Sequence, residues 1–244
     1  MTSLLVGWDV LSSTNCLCEE DRSLIAEISL QAHFNAQGKV GSGYDIITAI
    51  YGSCVFEKKM NVIGCSFTPF TFPSSLQIVF SCGGKQSSKT STFVKAIEQW
   101  RKENETNKDV QTLWNQYKEN NDYIISMLCR NDTNSSLLKS LFIEKLEIMY
   151  TISQLSNVEI IPELLYNLMK TTNQLENVVG CIVAGAGGYD SFYCIFKPVD
   201  TIEQEINEIW KCYGYSISTV KEHCDKLIIS YYCFNKHTLK QLLT

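Results

Sequence analysis

The segment from Gly38 to Asp45 combines three glycines, a lysine, a serine and an aspartate in eight residues, directly before an apolar helical run. Glycine lets the backbone approach a ligand closely and adopt positive φ. A helix start presents unpaired N–H groups to an anion, and a nearby carboxylate can bind a metal or accept a proton. The segment is therefore typical of a phosphate site. An ordinary turn, with Asp45 as a helix cap, explains the same residues equally well.

Two further glycine-bearing loops lie later in the chain. The loop Gly83–Lys89 carries Ser87 and Ser88 at the start of a predicted helix, where either serine could be an ordinary N-cap. The loop Gly185–Asp190 has three glycines in its first four positions, which is more glycine than a tight turn needs. None of these loops matches the Walker A phosphate loop or a well-placed dinucleotide-binding fingerprint. Generic phosphate-loop and Rossmann interpretations are therefore disfavoured.

Hydrophobic periodicity places these loops between strands and helices. The order β-β-α-α-α-α-β-β-α-β from residue 55 onward indicates an α+β fold rather than a regular βαβ series. The predicted strands are Val55–Phe67, Leu76–Cys82, Val178–Ala184, Phe192–Phe196 and Leu227–Phe234. The predicted helices are Leu24–Phe34, Ile46–Tyr51, one that carries Phe93 and Trp100, Val110–Leu128, Ser136–Leu155, Pro162–Asn173 and Ile202–Trp210.

Composition and charge disfavour several classes of protein. Hydrophobic residues make up 45% of the 244-residue chain and charged residues 19%, so a substantial core can form. The net charge of −5 argues against a nucleic-acid partner. No apolar run reaches the roughly 18 residues that span a bilayer, and the first ten residues do not resemble a signal peptide. We therefore expect no membrane partner and a cytoplasmic location. Eleven cysteines without a C-x-x-C pair, and three widely separated histidines, predict no metal site.

The segments Ala36–Asp45 and Thr48–Ser53 closely resemble the same region of eukaryotic phosphomevalonate kinases, which belong to the GHMP kinase superfamily. Gly185–Asp190 resembles the C-terminal glycine motif of that family, and Gly83–Trp100 resembles its serine-rich loop and helix. The resemblance implies an α+β, GHMP-kinase-like fold. It predicts an incomplete N-terminal lobe of the ribosomal S5 domain 2-like type at residues 1–54 and a ferredoxin-like C-terminal lobe at residues 55–244.

The resemblance also implies a reaction. The γ-phosphoryl group of ATP would be transferred, with Mg²⁺, to 5-phosphomevalonate, giving 5-diphosphomevalonate and ADP in the mevalonate route to isoprenoids and sterols. Asp45 and Lys39 match catalytic positions, and Asp45 would act through position and charge because the accepting phosphate is already largely ionised near neutral pH. The implied substrate-binding residues are Gly41, Ser42, Gly43, Ser87, Ser88, Gly185, Ala186, Gly187 and Gly188.

The ATP-binding loop of this family, a Pro-x-x-x-Gly-Leu-Gly-Ser-Ser-Ala pattern, is not found ahead of Lys39. No residue is therefore assigned to ATP binding. Two hypotheses remain. In the first, the sequence is a phosphomevalonate kinase with an incomplete N-terminal lobe. In the second, it is a non-catalytic GHMP-like remnant that binds a phosphorylated metabolite or a protein partner.

Overall fold

A computed structural model of the protein describes residues 18–37, 43–58, 65–83, 90–185, 187–189 and 191–219. The chain divides into two compact units. The first comprises Met1–Thr71 and Glu222–Thr244, and the second comprises Phe72–Lys221. The assignment of residues 1–54 and 55–244 to two kinase lobes stays a prediction.

The described part of the first unit is a pair of helices followed by a hairpin. Helix α1 spans Glu19–Gln37 and helix α2 spans Tyr44–Tyr51. Strands β1 (Cys54–Lys58) and β2 (Cys65–Pro69) pair in antiparallel orientation. A small apolar cluster holds the two helices together, and its buried members are Ile25, Ala26, Ile47 and Ile50.

The sequence prediction of a single strand at Val55–Phe67 is wrong. Cys54 pairs with Pro69 and Lys58 pairs with Cys65, so the chain reverses direction between the two strands. The intervening sequence contains Asn61 and Gly64, residue types that favour turns. Apolar and β-branched residues surround them. Because these residue types favour strands, the sequence pattern predicts one continuous strand instead of a turn.

The second unit is built on a four-stranded antiparallel sheet. Its strands are β3 (Gln77–Gly83), β4 (Val178–Val183), β5 (Phe192–Phe196) and β6 (Tyr215–Thr219), in the spatial order β4-β5-β3-β6. Helices separate β3 from β4 and β5 from β6, whereas β4 and β5 follow each other directly. This β-α-β-β-α-β order is that of ferredoxin-like folds. The predicted α+β class is confirmed.

Within the described residues, five helices complete the second unit. They are α3 (Thr90–Glu103), α4 (Lys108–Cys129), α5 (Ser135–Ser156), α6 (Glu163–Thr172) and α7 (Ile202–Cys212). Asparagine side chains define two of the helix starts. Asn107 accepts hydrogen bonds from the backbone N–H groups of Asp109 and Val110, and Asn134 accepts one from Leu137. These caps satisfy N–H groups that have no partner within the helix.

The helices α5, α6 and α7 pack against the sheet. Phe142 of α5 lies against Gly180, where an added Cβ would come within 2.2 Å of the phenyl Cγ. Trp210 of α7 contacts Phe192 at a ring-centroid distance of 4.6 Å. Its Nε1–H donates to the Thr172 hydroxyl oxygen at 3.1 Å, and neither residue is exposed to solvent. The buried N–H of Trp210 therefore has a hydrogen-bond acceptor.

The strand β4 lies at an edge of the described sheet. Asn173 covers that edge at Cys181. Its Oδ1 accepts from the Cys181 backbone N–H at 2.7 Å, and its Nδ2 donates to the Cys181 carbonyl oxygen at 3.2 Å. Both residues are buried. The amide side chain thus replaces the two hydrogen bonds that another strand would make at this position.

The strand β6 is absent from the sequence prediction. Its residues Tyr215 and Ile217 alternate with Ser216 and Ser218, the period-two pattern of a strand with one buried face, but the run is only five residues long. The closing strand predicted instead at Leu227–Phe234 lies outside the described residues.

Candidate active site

Gly43 begins the helix that carries the predicted catalytic aspartate. Its φ of 79° lies in the left-handed region, where glycine is strongly favoured. It is also buried, and an added Cβ would lie 2.6 Å from Cδ2 of Leu30 in α1. Its carbonyl oxygen accepts the first helical bond from Ile47 at 3.0 Å. Backbone conformation therefore strongly favours glycine at this position, whereas the Leu30 methyl group lies at the end of a flexible side chain that can move aside.

Asp45 occupies the first turn of α2 with its side chain exposed. Gly43, not Asp45, is the N-cap residue, so the interpretation of Asp45 as a helix cap is wrong. Because glycine has no side chain, Gly43 caps none of the N–H groups of this turn, and such groups at a helix start attract anions. The aspartate thus lies beside a helix start that attracts negative charge.

The Asp45 carboxylate also fits one part of a Mg²⁺ site. Kinases commonly hold Mg²⁺ with one or two carboxylates together with substrate phosphates. The Asp45 side chain is exposed, so a cation can approach its oxygens from solvent. Within the described ranges, no group of three His, Cys, Asp or Glu side chains could hold a metal by itself. Phosphates of the substrates are suitable further ligands for Mg²⁺ bound at Asp45.

The glycine loop between β4 and β5 packs tightly on the protein itself. Gly187 and Gly188 are buried and have φ values of 80° and 84°. An added Cβ at Gly187 would lie 2.1 Å from the carbonyl oxygen of Ile160. The N–H of Gly187 donates to Ala184 at 3.1 Å, and the N–H of Gly188 donates to Ile160 at 2.8 Å. These two N–H groups are already paired, so the close approach that the glycines permit is to the segment before α6.

Gly185 differs from the other two glycines of this loop. It is exposed, its φ is 59°, and nothing lies within 4 Å of the position of an added Cβ. Its lack of a side chain leaves open space, whereas Gly187 packs against Ile160. That space borders a pocket of about 200 Å³.

We name this cavity the α3–α5 pocket. Three helices supply most of its lining, and the side chains are predominantly apolar or aromatic. Trp114 and Tyr117 of α4 form one wall, with their rings edge to face at a centroid distance of 5.8 Å. The complete lining is Phe93, Val94, Ile97, Glu98, Trp114, Tyr117, Met149, Ile152, Ile160 and Gly185.

Lys145 lies on α5 beside the same wall. Its Nζ is 5.7 Å from the centroid of the Tyr117 ring and donates to Asn121 Oδ1 at 2.6 Å. Burial lowers the pKa of Lys145 to about 8, and burial also raises the pKa of Tyr117. Reasoning from sequence missed this lysine. Its signal is a cation within the apolar stripe of α5, between Phe142 and Met149 at helical spacing.

Several predicted site residues lie outside the described residues. They are Lys39, Gly41, Ser42, Ser87, Ser88 and Ala186. Gly43 and Asp45 belong to the first unit, whereas Gly185, Gly187 and Gly188 belong to the second. Their roles in catalysis and substrate binding stay predictions.

Comparison with solved structures shows what fold these elements form. Over 80% of this chain and 59% of the other, the fold matches the mevalonate kinase of L. major, which was solved with R-mevalonate, at a TM-score of 0.58 and 15% identity. The phosphomevalonate kinase of Streptococcus pneumoniae matches with a TM-score of 0.57 and 15% identity, over 88% of this chain and 64% of the other. No family model matches the sequence.

Curated relatives connect the sequence with one branch of these kinases. The phosphomevalonate kinase of Aspergillus fumigatus is 26% identical over 215 residues, covering 72% of this chain and 44% of the relative. That of Gibberella zeae is 27% identical over 217 residues, covering 77% and 48%. The chain resembles phosphomevalonate kinases in sequence and GHMP kinases in fold. The predicted similarity to the GHMP kinase superfamily is thereby confirmed.

The chain spans about half the length of the curated relatives it matches. A further relative, from Arabidopsis thaliana, is named as a peroxisomal phosphomevalonate kinase and is 25% identical over 264 residues, covering 83% of this chain and 52% of its own length. Among the described residues, no helix has the length and apolar character needed to cross a membrane. The cytoplasmic location stays a prediction.

Proposed function

We propose that this chain is a phosphomevalonate kinase that transfers the γ-phosphoryl group of ATP to 5-phosphomevalonate. The observation that carries the proposal is the similarity to curated phosphomevalonate kinases over about three quarters of the chain. The Gly-Tyr-Asp sequences at Gly43–Asp45 and Gly188–Asp190 fall in the two glycine motifs that this branch of kinases shares by resemblance.

In this proposal, Asp45 orients the acceptor phosphate or contributes an oxygen to Mg²⁺. Phosphoryl transfer depends mainly on positioning and charge neutralisation, so a strong general base is not required. The left-handed conformation of Gly43 fixes where α2 begins, and the uncapped N–H groups of that first turn favour a phosphate beside Asp45. Lys39, Gly41 and Ser42 would complete the acceptor site, with Lys39 offsetting negative charge.

Substrate-binding roles are also proposed for residues of the second unit. Gly185 is the exposed glycine of its loop and can let a ligand approach the backbone. Gly187 and Gly188 would act indirectly, because their N–H groups hold the loop in place. Ser87, Ser88 and Ala186 are proposed as further substrate-binding residues. When bound, ATP and Mg²⁺ supply the transferred group and the cation that offsets its charge.

The test is an ADP-release assay on the purified chain with ATP, Mg²⁺ and 5-phosphomevalonate, comparing Asp45→Ala with Asp109→Ala. Both aspartates are exposed, and each is the second residue of its helix, α2 or α4. The two substitutions therefore remove the same interaction with the helix dipole. We expect Asp45→Ala to lower kcat about 10²- to 10³-fold, as loss of one preorganised electrostatic contact does. Asp109→Ala should leave kcat within about twofold, because surface changes away from a site are nearly neutral.

The outcomes separate the two hypotheses. Equal activity of both variants would overturn the role of Asp45. If the unaltered chain releases no ADP but binds 5-phosphomevalonate in calorimetry, the non-catalytic alternative is favoured. Absence of both turnover and binding contradicts the proposal as a whole.

A further inference from the structure

Helix α3 packs less closely on the second unit than its four other helices do. Between Thr92 and Glu103, the part of α3 whose side chains the structure describes, none is buried, and Val94 is 44% exposed. An amphipathic helix normally buries its apolar stripe against a core. The other helices do so, α4 to α7 in turn, with side chains such as Ile124, Phe142, Leu165 and Trp210.

The α3–α5 pocket is the space beside this half-exposed stripe. Phe93, Val94 and Ile97 line it from α3, and Met149 and Ile152 line it from α5. Both walls are apolar, and bringing them together would remove hydrocarbon surface from water, which is favourable. The structure therefore shows a gap of about 200 Å³ next to a helix whose own side chains are suited to fill it.

The C-terminal end of α3 is attached to α4. Arg101 Cζ lies 5.0 Å from the centroid of the Trp114 ring, a cation–π contact. Asn104 donates from Nδ2 to the Trp100 carbonyl oxygen at 2.9 Å, and the N–H of Asn107, the cap of α4, donates to Asn104 at 3.0 Å. These contacts hold the last turn of α3, so residues 104–107 are the place where the helix can pivot.

The N-terminal end of α3 is connected with the proposed substrate in two ways. Gly185, the exposed glycine that follows β4, borders the pocket. Ser87 and Ser88, which have a proposed substrate-binding role, closely precede the first residue of α3 in the sequence. A ligand that contacts both sides binds a closed arrangement more tightly than an open one and shifts the equilibrium towards closure. Glu98 and the apolar lining disfavour the phosphorylated substrate inside the gap itself.

We propose that α3 is a lid that turns about residues 104–107 and closes onto α4 and α5 when 5-phosphomevalonate binds beside Gly185. The inference rests on the proposed function, because it requires that substrate at the glycine loop. On closure, the side chains of Phe93, Val94 and Ile97 fill the α3–α5 pocket. Closure also excludes water from the substrate, which favours phosphoryl transfer over hydrolysis.

The experiment measures hydrogen–deuterium exchange by mass spectrometry on the full chain, free and with saturating 5-phosphomevalonate. Calorimetry on the same samples establishes whether the substrate binds. In the free protein, amides at residues 93–99 should exchange over minutes, while those at residues 138–146 in the core of α5 stay protected. Bound 5-phosphomevalonate should slow exchange at residues 93–99 at least about tenfold.

Two matched variants test closure directly. Val94→Trp puts a bulky ring at the mouth of the pocket, at an exposed residue, so the variant should fold but α3 should no longer close. The slowing of exchange by the substrate should be lost. By linkage, 5-phosphomevalonate should also bind about tenfold more weakly. Val199→Trp, at a valine 42% exposed and outside the lining, is the control and should behave like the unaltered chain.

Three outcomes overturn the lid. The first is that residues 93–99 of the free protein are as protected as residues 138–146. The second is that 5-phosphomevalonate binds but leaves exchange in α3 unchanged, a result that does not affect the proposed function. The third is that Val94→Trp matches Val199→Trp in affinity and in protection. If calorimetry shows no binding to the unaltered chain, the proposed function is contradicted, and closure on this substrate with it.

Discussion

Replacing Gly187 by alanine should destabilise the second unit severely. At φ 80°, an alanine incurs about 1–2 kcal/mol of conformational strain. Its Cβ would also lie 2.1 Å from the carbonyl oxygen of Ile160 and 2.8 Å from its Cγ2. Relieving such overlap costs about 1–3 kcal/mol in a packed core. Moving the two segments apart also weakens the 2.8 Å bond from Gly188 N–H to Ile160, worth about 1 kcal/mol.

Together these effects predict a loss of about 3–5 kcal/mol in the free energy of unfolding, a large share of the stability of an ordinary domain. For a chain of this length, the melting temperature should fall by roughly 6–20 °C, since each kcal/mol lowers it by about 2–4 °C. Urea denaturation followed by circular dichroism, together with differential scanning calorimetry, measures both quantities. A variant that does not fold at all agrees with the prediction.

Gly185→Ala is the matched control for this substitution. Gly185 shares the loop and a positive φ of 59°, but an added Cβ there meets nothing within 4 Å. Only the conformational term applies, so the expected loss is about 1–2 kcal/mol. If Gly187→Ala were no less stable than Gly185→Ala, the contact with Ile160 would not be the reason for glycine at position 187.

Three further substitutions, one of them with a matched control, have expected outcomes in urea denaturation. Lys145→Met should be more stable than the unaltered chain by about 1–3 kcal/mol at pH 7, because the folded pKa near 8 lies below the unfolded value of 10.5 and protonation therefore opposes folding. The difference should shrink as pH rises from 8 towards 10.5, and a constant difference contradicts this reasoning. Thr172→Val should cost about 1–3 kcal/mol because it leaves buried Trp210 Nε1–H unpaired. Thr171→Val, on the exposed side of the same helix, should be within about 0.5 kcal/mol of neutral, and equal losses for the two would be contrary evidence. Asn107→Ala should cost about 1 kcal/mol through loss of the α4 cap, and an unchanged midpoint would show that the cap is dispensable.

The long helices of the second unit could be predicted from the sequence because each repeats apolar residues at helical spacing over several turns. Helix α5 spans Ser135–Ser156 where periodicity predicts Ser136–Leu155. Short strands give weaker signals, since five residues contain little periodicity. The hairpin of β1 and β2 was therefore read as one strand, and β6 was missed.

In the candidate site, too, some features could be predicted from the sequence and others could not. The clustered glycines of the two motifs indicate positive φ, which the structure has at Gly43 and Gly187. They do not reveal what the backbone approaches, because the partner of Gly187 is Ile160, in a segment distant in sequence. The partial burial of Lys145, which lowers its pKa, depends on how α4 and α5 meet. Such tertiary arrangements are not encoded in local spacing.

The bonds between Asn173 and Cys181 have a consequence for how copies of this protein meet. An open edge strand is a template for strands of other molecules, and proteins avoid aggregation by blocking such edges. At Cys181, the donor and acceptor that an incoming strand would use are already occupied by an amide from the same chain. Asn173 therefore protects this part of β4 from intermolecular strand addition, a contribution to solubility that a measurement of folding stability alone would not reveal.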